Sequence, residues 1–355
     1  MEKRALFDRK TSYTLRGIAI LMVMASHYAV SCAEWINNPQ ITLFGSRLGK
    51  YGVDIFFLMS GYGLVKSTEG KRLELRFIWK RMQNTYLPYL IIAGIIELTA
   101  GGEVTGARIV RYLLGVDYWF ISLIMMLYLA FFLIFMLVEK AGGADPDGQG
   151  WNGMGKWLGF GLLAGVTALL SWLLHAGGMQ EFWYVSNLAF AAGVSCGLWE
   201  GRLLDWERWW RPAGCVVFGL LFCGAAYLGM RGGIAEAYRI PALLGANLVW
   251  TLWVVCLSGC LRPRKIRLQD AAHKAVTHKD AMRILMRIPI FVLMFLGKIS
   301  LYLYLFHMFL YYQVLNRCLD MKPGPRFALT LAVTVGASWL LWAAWNGLMR
   351  MGRKR

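Results

Sequence analysis

Residues 14–28 read TLRGIAILMVMASHY, an apolar stretch that holds one arginine, Arg16, and one histidine, His27. The two residues are eleven positions apart, or about three turns of an α-helix, so a helix places both side chains on one face, about 16 Å apart along its axis. Ionisable side chains at membrane depth are costly and usually face a cavity or a partner. This stretch therefore predicts a membrane helix whose polar face lines a functional site.

The rest of the chain has the same apolar character. Of its 355 residues, 58% are hydrophobic and 16% are charged, against roughly 25% charged in soluble domains, which excludes an ordinary soluble enzyme. Apolar runs of about 20 residues are long enough to cross about 30 Å of hydrocarbon. We predict one all-α domain over residues 1–355, a polytopic membrane protein with about ten transmembrane helices in one bundle, at 12–31, 51–65, 82–99, 118–138, 157–174, 182–199, 212–230, 240–261, 288–313 and 327–349.

The distribution of charge orients this bundle. The chain carries 38 Lys and Arg against 20 Asp and Glu, a net charge of +18, which first suggests a nucleic-acid partner. With ten helices and a cytoplasmic N-terminus, however, 27 basic residues fall in inner segments and 9 in outer loops, as the positive-inside rule requires. We therefore expect a bacterial inner-membrane protein with both termini in the cytoplasm. Its basic face contacts anionic lipid, and no nucleic acid is expected as a partner.

Other features of the sequence suggest neither processing nor a metal. Because Arg16 interrupts the first apolar stretch, we expect no cleaved signal peptide. The chain ends shortly after the last predicted helix, so we expect it to act alone or with a separate partner. The basic segment 262–287 is compatible with a short amphipathic helix on the membrane. His273 and His278 in that segment are five residues apart, which is the wrong helical spacing for a metal pair, so no metal is predicted.

The second predicted helix carries one acidic residue. Residues 51–64 read YGVDIFFLMSGYGL, which places Asp54 about one turn from the outer end of the helix. Adjacent antiparallel helices bring Asp54 to the depth of His27, where a hydrogen bond would fix the imidazole tautomer and raise its basicity. The alternative is a helix-terminal charge that the macrodipole favours.

The ninth predicted helix carries a second histidine. Residues 296–310 read LGKISLYLYLFHMFL, with Ser300 and His307 seven positions apart on one face and Tyr304 one turn below His307. His307 falls in the outer half of the helix, like His27. The pattern predicts a catalytic group of His27, Asp54 and His307. The alternative is that each histidine makes an isolated interhelical hydrogen bond and that the tyrosines only pack.

Basic residues are concentrated between the second and third predicted helices. Arg76, Lys80 and Arg81 lie just before the third helix. Together with Arg16 they would form a cationic mouth that holds phosphate groups by charge-assisted hydrogen bonds. Contact with lipid headgroups is the alternative.

These stretches, together with RFIWKRMQNTYLPY at 76–89 and YWFISLIMMLYL at 118–129, resemble in their order the membrane acyltransferase-3 family, the O-acetyltransferases of bacterial surface glycans. The resemblance covers nearly all ten predicted helices. It implies that an acetyl or other short acyl group moves from cytoplasmic acetyl-CoA to a hydroxyl of a cell-surface glycan or lipid-linked sugar. One position departs from the family pattern, in which two arginines often lie three apart before the proline of the third helix. Here the pair is Arg81 and Asn84, so another cation would supply the missing charge.

The resemblance and the depths of these residues together suggest a mechanism. Acetyl-CoA would bind its phosphates at a cofactor site formed by Arg16, Arg76, Lys80 and Arg81, and its pantetheine arm would run up the bundle to His27. There His27 would act as general base, oriented by Asp54, or would form a covalent acetyl-imidazole. His307, Tyr304 or Ser300 would bind the acceptor or the developing oxyanion.

Two other classes of function fit the same residues. A transporter or flippase would use Arg16, Asp54 and the histidines as an intramembrane relay. A structural membrane subunit would organise a glycan-export complex without any chemistry. Dependence on acyl-CoA distinguishes the enzyme from both.

Overall fold

The structure, a computed structural model, describes residues 4–31, 39–100, 105–146, 150–231, 236–261, 288–318 and 321–352. Throughout these ranges the regular structure is helical, apart from an isolated β-bridge between Ala144 and Trp151. The predicted all-α class is confirmed. The predicted amphipathic helix in segment 262–287, with His273 and His278, lies outside the described residues.

The described residues form fourteen α-helices, together with short 3₁₀ and π segments. In chain order they are α1 (Arg9–Ser31), α2 (Pro39–Thr68), α3 (Leu75–Arg81), α4 (Leu87–Ala100), α5 (Gly106–Leu114), α6 (Trp119–Val138), α7 (Gly153–Ala176), α8 (Asn187–Leu198), α9 (Glu200–Asp205), α10 (Glu207–Arg231), α11 (Glu236–Leu257), α12 (Ile288–Lys298), α13 (Ser300–Arg317) and α14 (Pro323–Gly352). Each of the ten predicted spans thus coincides with helical structure, and the short helices α3, α5 and α9 are additions.

Six helical segments in the described ranges are long and apolar enough to cross a membrane: Arg9–Val30, Gly106–Gly143, Gly153–Ala176, Trp209–Leu228, Ile240–Leu257 and Gly324–Met351. The predicted helix at 288–313 is two helices, α12 and α13, with an 80° bend between them, and this pair adds at most one further span. The predicted count of about ten is not confirmed. Two of the remaining predicted spans correspond to α4 and α8, whose 14 and 12 residues fall short of the roughly 20 that cross a bilayer.

Helix α1 packs between α2 on one side and α12 and α13 on the other. The contact with α12 is close because both helices present glycines. A Cβ atom on Gly17 would overlap with the carbonyl of Leu293, and one on Gly297 would overlap with the carbonyl of Tyr13. Small residues let backbones approach in this way in membrane proteins. The bend after α12 then directs α13 along α1 toward His27.

A half-buried ion-pair network fixes the N-terminal segment to α2 and α9. Lys66 Nζ lies 2.7 Å from one oxygen of the Glu200 carboxylate. The Leu6 N–H donates to the other oxygen at 2.7 Å, and the Tyr62 hydroxyl donates to that same oxygen. Burial by itself would raise the pKa of Glu200, but the hydrogen bonds from Lys66, Tyr62 and Leu6 outweigh burial and hold this pKa below its ordinary value.

This network predicts a pH-dependent loss of stability. A carboxyl whose folded-state pKa is depressed stabilises the protein above its unfolded-state pKa, near 4.5, and loses that contribution as the pH falls through the lower folded-state value. At pH 7 we expect Glu200→Gln to destabilise the protein by about 2 kcal/mol, because hydrogen bonds to a charged group are lost. We expect the difference from wild type to shrink below pH 4.5.

Thermal unfolding of the purified protein between pH 3.5 and 7 measures this difference. The matched control is Glu69→Gln, because Glu69 also pairs with Lys66 but its side chain is 58% exposed. We expect little change from that control. A Glu200→Gln effect that is independent of pH would contradict the assigned role of the ionised carboxylate.

Candidate active site

Helices α1 and α13 bring His27 and His307 together. The centroids of their imidazole rings are 5.1 Å apart, and the rings are tilted by 44°. One residue beyond His27, the ring of Tyr28 packs edge to face against Tyr311, with centroids 5.8 Å apart. This second contact fixes the register of the two helices, so the histidine pair is a consequence of their packing.

The hydrogen bonds of His307 define which of its nitrogens carries the proton. Nδ1 lies 2.7 Å from the carbonyl oxygen of Tyr304 and 3.2 Å from that of Leu303. A carbonyl only accepts, so Nδ1 is the donor and Nε2 keeps its lone pair. Nε2 is buried and has no hydrogen-bond partner among the described residues. His307 therefore presents a basic nitrogen beside His27.

The histidine pair lines a small pocket, whose free volume of about 20 Å³ has room for about one water molecule. Its remaining walls are aromatic and aliphatic side chains and two threonines of α14. The lining residues are Met24, His27, Tyr28, His307, Tyr311, Phe327, Thr330, Leu331 and Thr334. The two imidazoles are thus the basic groups of a small pocket with otherwise uncharged walls.

Asp54 does not join this pair. On α2, Gly52 faces α1, where it approaches the carbonyl of Ala19. Ala19 is eight residues before His27, or about 12 Å along the helix axis. Asp54 is two residues after Gly52 and is therefore turned by about 200° around α2, so that its carboxylate lies beside Ser186, just before α8. The predicted hydrogen bond between Asp54 and His27 is not formed in this structure, because the two residues differ in both depth and direction.

Arg16 and Arg81 come together at the other end of the site. Their guanidinium groups are close enough to influence each other electrostatically. Arg81 donates to the Ser67 hydroxyl on α2 and lies over the rings of Phe77 and Tyr128, at 5.2 and 5.9 Å from their centroids. In the part of the chain that the structure describes, no carboxylate pairs with either arginine. Two guanidinium groups within electrostatic range of each other, with no acidic partner among the described residues, favour an anionic ligand.

The other predicted residues lie around these two groups. Arg76 and Lys80 are exposed on α3, one turn apart, and Lys80 directly precedes Arg81. Ser300 is buried at the bend where α13 begins, two turns before His307. The ring of Tyr304 lies between these levels, with its centroid 5.9 Å from that of His307.

Several contacting residues were not predicted from the sequence. Ser67 and Tyr128, which hold Arg81, have no distinguishing feature in apolar helices. Thr330 and Thr334 are four residues apart in α14, and each donates its hydroxyl to a carbonyl one turn back in the same helix. Two polar residues one turn apart in an apolar span could have predicted that this face of α14 lines the pocket.

The helices define a membrane protein that carries two internal polar groups, Arg16 with Arg81 and His27 with His307. The model of the acyltransferase-3 family, described as an acyltransferase domain, matches residues 14–343, and the chain belongs to this family. The membership predicted from the sequence motifs is thereby confirmed, and it supports a membrane acyltransferase. No curated protein and no solved structure matches the chain.

Neither group resembles a metal centre. Within the described ranges, no cluster of three or more His, Cys, Asp or Glu side chains is placed to hold a metal ion. Membership of the family implies that the protein binds an acyl donor and an acceptor. The site residues therefore have to be assigned to donor binding, acceptor binding and proton transfer.

Proposed function

We propose that this membrane acyltransferase moves an acetyl or other short acyl group from cytoplasmic acyl-CoA to a hydroxyl of a cell-surface glycan or lipid-linked sugar, across the bacterial inner membrane. The observation that carries the proposal is the arrangement along α1, with paired guanidinium groups at Arg16 and paired imidazoles at His27, about 16 Å further along the axis. That spacing suits a donor whose charged end and reactive end are separated by a long arm.

The arginine pair is the proposed site for the anionic end of the donor. Arg16 and Arg81 supply positive charge that no carboxylate among the described residues pairs with, and the Ser67 hydroxyl accepts a hydrogen bond from Arg81. Arg76 and Lys80, exposed on the adjoining helix, would bind the outer phosphates. Charge-assisted hydrogen bonds from arginine to phosphate are strong and geometrically specific, which would fix the donor in register with the histidines.

The path between the two groups follows α13. Ser300 and Tyr304 lie on this helix before His307, and in this proposal they would contact the pantetheine arm or the reacting carbonyl. A hydroxyl there would donate to the developing oxyanion. In this assignment Asp54 has no direct role in orienting His27.

The histidine pair is the proposed site of chemistry. The ring separation of 5.1 Å allows an N–H of His27 to donate to the bare Nε2 of His307, directly or through one water. The other nitrogen of His27 then has a lone pair and takes the proton from the acceptor hydroxyl. The acceptor oxygen attacks the thioester carbonyl, the C–S bond breaks, and the CoA thiolate leaves with the proton from His27. Attack by His27 itself, through an acyl-imidazole, uses the same arrangement.

Binding of acyl-CoA is the first test of this proposal. A ligand that binds only the folded state stabilises it, by about 2.7 kcal/mol at a concentration of 100 times Kd. We expect acetyl-CoA to raise the unfolding temperature of the purified protein in a saturable manner, and CoA to do so nearly as well because it keeps the phosphates. Dephospho-CoA should bind more weakly. Absence of any shift at millimolar acetyl-CoA would contradict the donor and would favour the transporter or the structural subunit.

A further inference from the structure

The proposed reaction does not use Asp54, although this carboxylate is among the most buried polar groups of the described chain. Its side chain is 0% exposed. Neither of its oxygens has a hydrogen-bond partner among the described residues. An ionised carboxylate in such a position costs several kcal/mol unless a positive charge or hydrogen bonds compensate for it. The site therefore calls for a positively charged partner at the carboxylate.

Two neighbouring side chains offer further oxygen atoms. Ser186 and Asn187, at the start of α8, are 2% and 0% exposed, and the Ser186 Oγ and Asn187 Oδ1 atoms also lack partners within the described ranges. The Asn187 amide is held in one orientation, because its Nδ2 donates to Ser171 Oγ at 3.1 Å and to the carbonyl of Trp183. The Asp54 carboxylate lies beside the Ser186 hydroxyl. Buried oxygens without a partner thus lie on both α2 and the start of α8, where those of Asp54 and Ser186 are neighbours.

The nearest cationic side chains do not form hydrogen bonds with the Asp54 carboxylate. Lys50, one turn before Asp54 on α2, forms an ion pair with Glu181. Arg47 lies one further turn away, near Tyr51. Neither cation makes a hydrogen bond to Asp54, since both carboxylate oxygens are without a partner among the described residues.

We propose that Asp54, Ser186 and Asn187 form a binding site for a small monovalent cation, Na⁺, between α2 and α8. Carboxylate, amide and hydroxyl oxygens are hard ligands suited to such ions. A single carboxylate balances one positive charge, whereas sites for divalent ions commonly use more than one carboxylate. A proton would satisfy only one of these oxygens, but an ion coordinates all of them. The site is separate from the arginine and histidine pairs, so the inference does not depend on the proposed function.

The test uses Na⁺ itself as the probe. The unfolding temperature of the purified, detergent-solubilised protein is measured in increasing NaCl, with N-methylglucamine chloride keeping the ionic strength and pH constant. We expect a saturable increase with Na⁺. Asp54→Asn should abolish this increase, and Asp205→Asn, which changes an exposed carboxylate of α9, should retain it.

A second variant keeps the test decisive if Asp54→Asn does not fold. Ser186→Ala retains the carboxylate but removes one ligand, and we expect it to raise the half-saturating Na⁺ concentration about tenfold, equivalent to 1.4 kcal/mol. Equal unfolding temperatures in the two salts would overturn the proposal. So would an unchanged Na⁺ response in Asp54→Asn or in Ser186→Ala. Stabilisation that depends on pH but not on Na⁺ would assign the site to a proton and would likewise overturn it.

Discussion

Replacing His27 by Ala is expected to lower kcat for acyl transfer by about 10³-fold, because a positioned base contributes about 10²- to 10⁴-fold to a rate. Binding of acetyl-CoA should stay near the wild-type value, since the phosphates bind three turns away at Arg16. His307→Ala should lower kcat by about 10²-fold, because His307 acts through its contact with His27. Release of CoA thiol from the protein reconstituted in vesicles with envelope glycan measures both effects.

A third histidine provides the matched control for this experiment. His175 lies exposed at the end of α7 and contacts Tyr184 rather than the pocket. We expect His175→Ala to retain wild-type turnover. If folded His27→Ala protein also turned over at the wild-type rate, the assignment of His27 as the reacting base would be wrong.

Arg81→Ala is expected to raise Kd and KM for acetyl-CoA by about 10- to 100-fold, because charge-assisted hydrogen bonds contribute about 1.5–3 kcal/mol. The value of kcat at saturating donor should change much less, since Arg81 lies away from the reacting atoms. Arg16→Ala should show the same separation of KM from kcat. Isothermal titration and steady-state kinetics give the two quantities independently.

Two substitutions sharpen this result. Arg81→Lys keeps the charge but loses the planar fork, so we expect an intermediate Kd. Arg111→Ala removes a cation that is 57% exposed and pairs with Asp117, and we expect no change in Kd. An altered acceptor specificity with an unchanged Kd for acetyl-CoA would move the donor site elsewhere.

The axial positions of the key residues could be predicted from the sequence, because helix geometry follows directly from spacing. Arg16 and His27 lie on α1 as their eleven-residue separation implies, and His307 lies at the depth of His27. The positions of the helices could also be predicted, because each membrane helix coincides with an apolar run of the sequence. Composition decides whether a segment is apolar, but the final length of α4 and α8 and the bend after Lys298 depend on packing against neighbours.

The choice of partner for His27 could not be predicted, because depth does not define which way a side chain faces. Asp54 and His307 both fall in the predicted outer half, but in the structure Asp54 differs from His27 in depth, and the rotation of α2 also turns it away. A signal for that rotation was present in the sequence as the glycines at 45, 49 and 52. These residues lie against Ala29, Ser26 and Ala19 of α1, so the glycines mark the face of α2 that packs on α1. Asp54 lies on the opposite face of α2, toward α8.

We propose that the chain acylates an envelope glycan through His27, and mass spectrometry of that glycan is the decisive experiment. Glycans are compared from cells that lack the gene and from the same cells complemented with wild type or with His27→Ala. We expect an acyl substituent that is present only with the wild-type gene. Identical acylation in all three samples would contradict it.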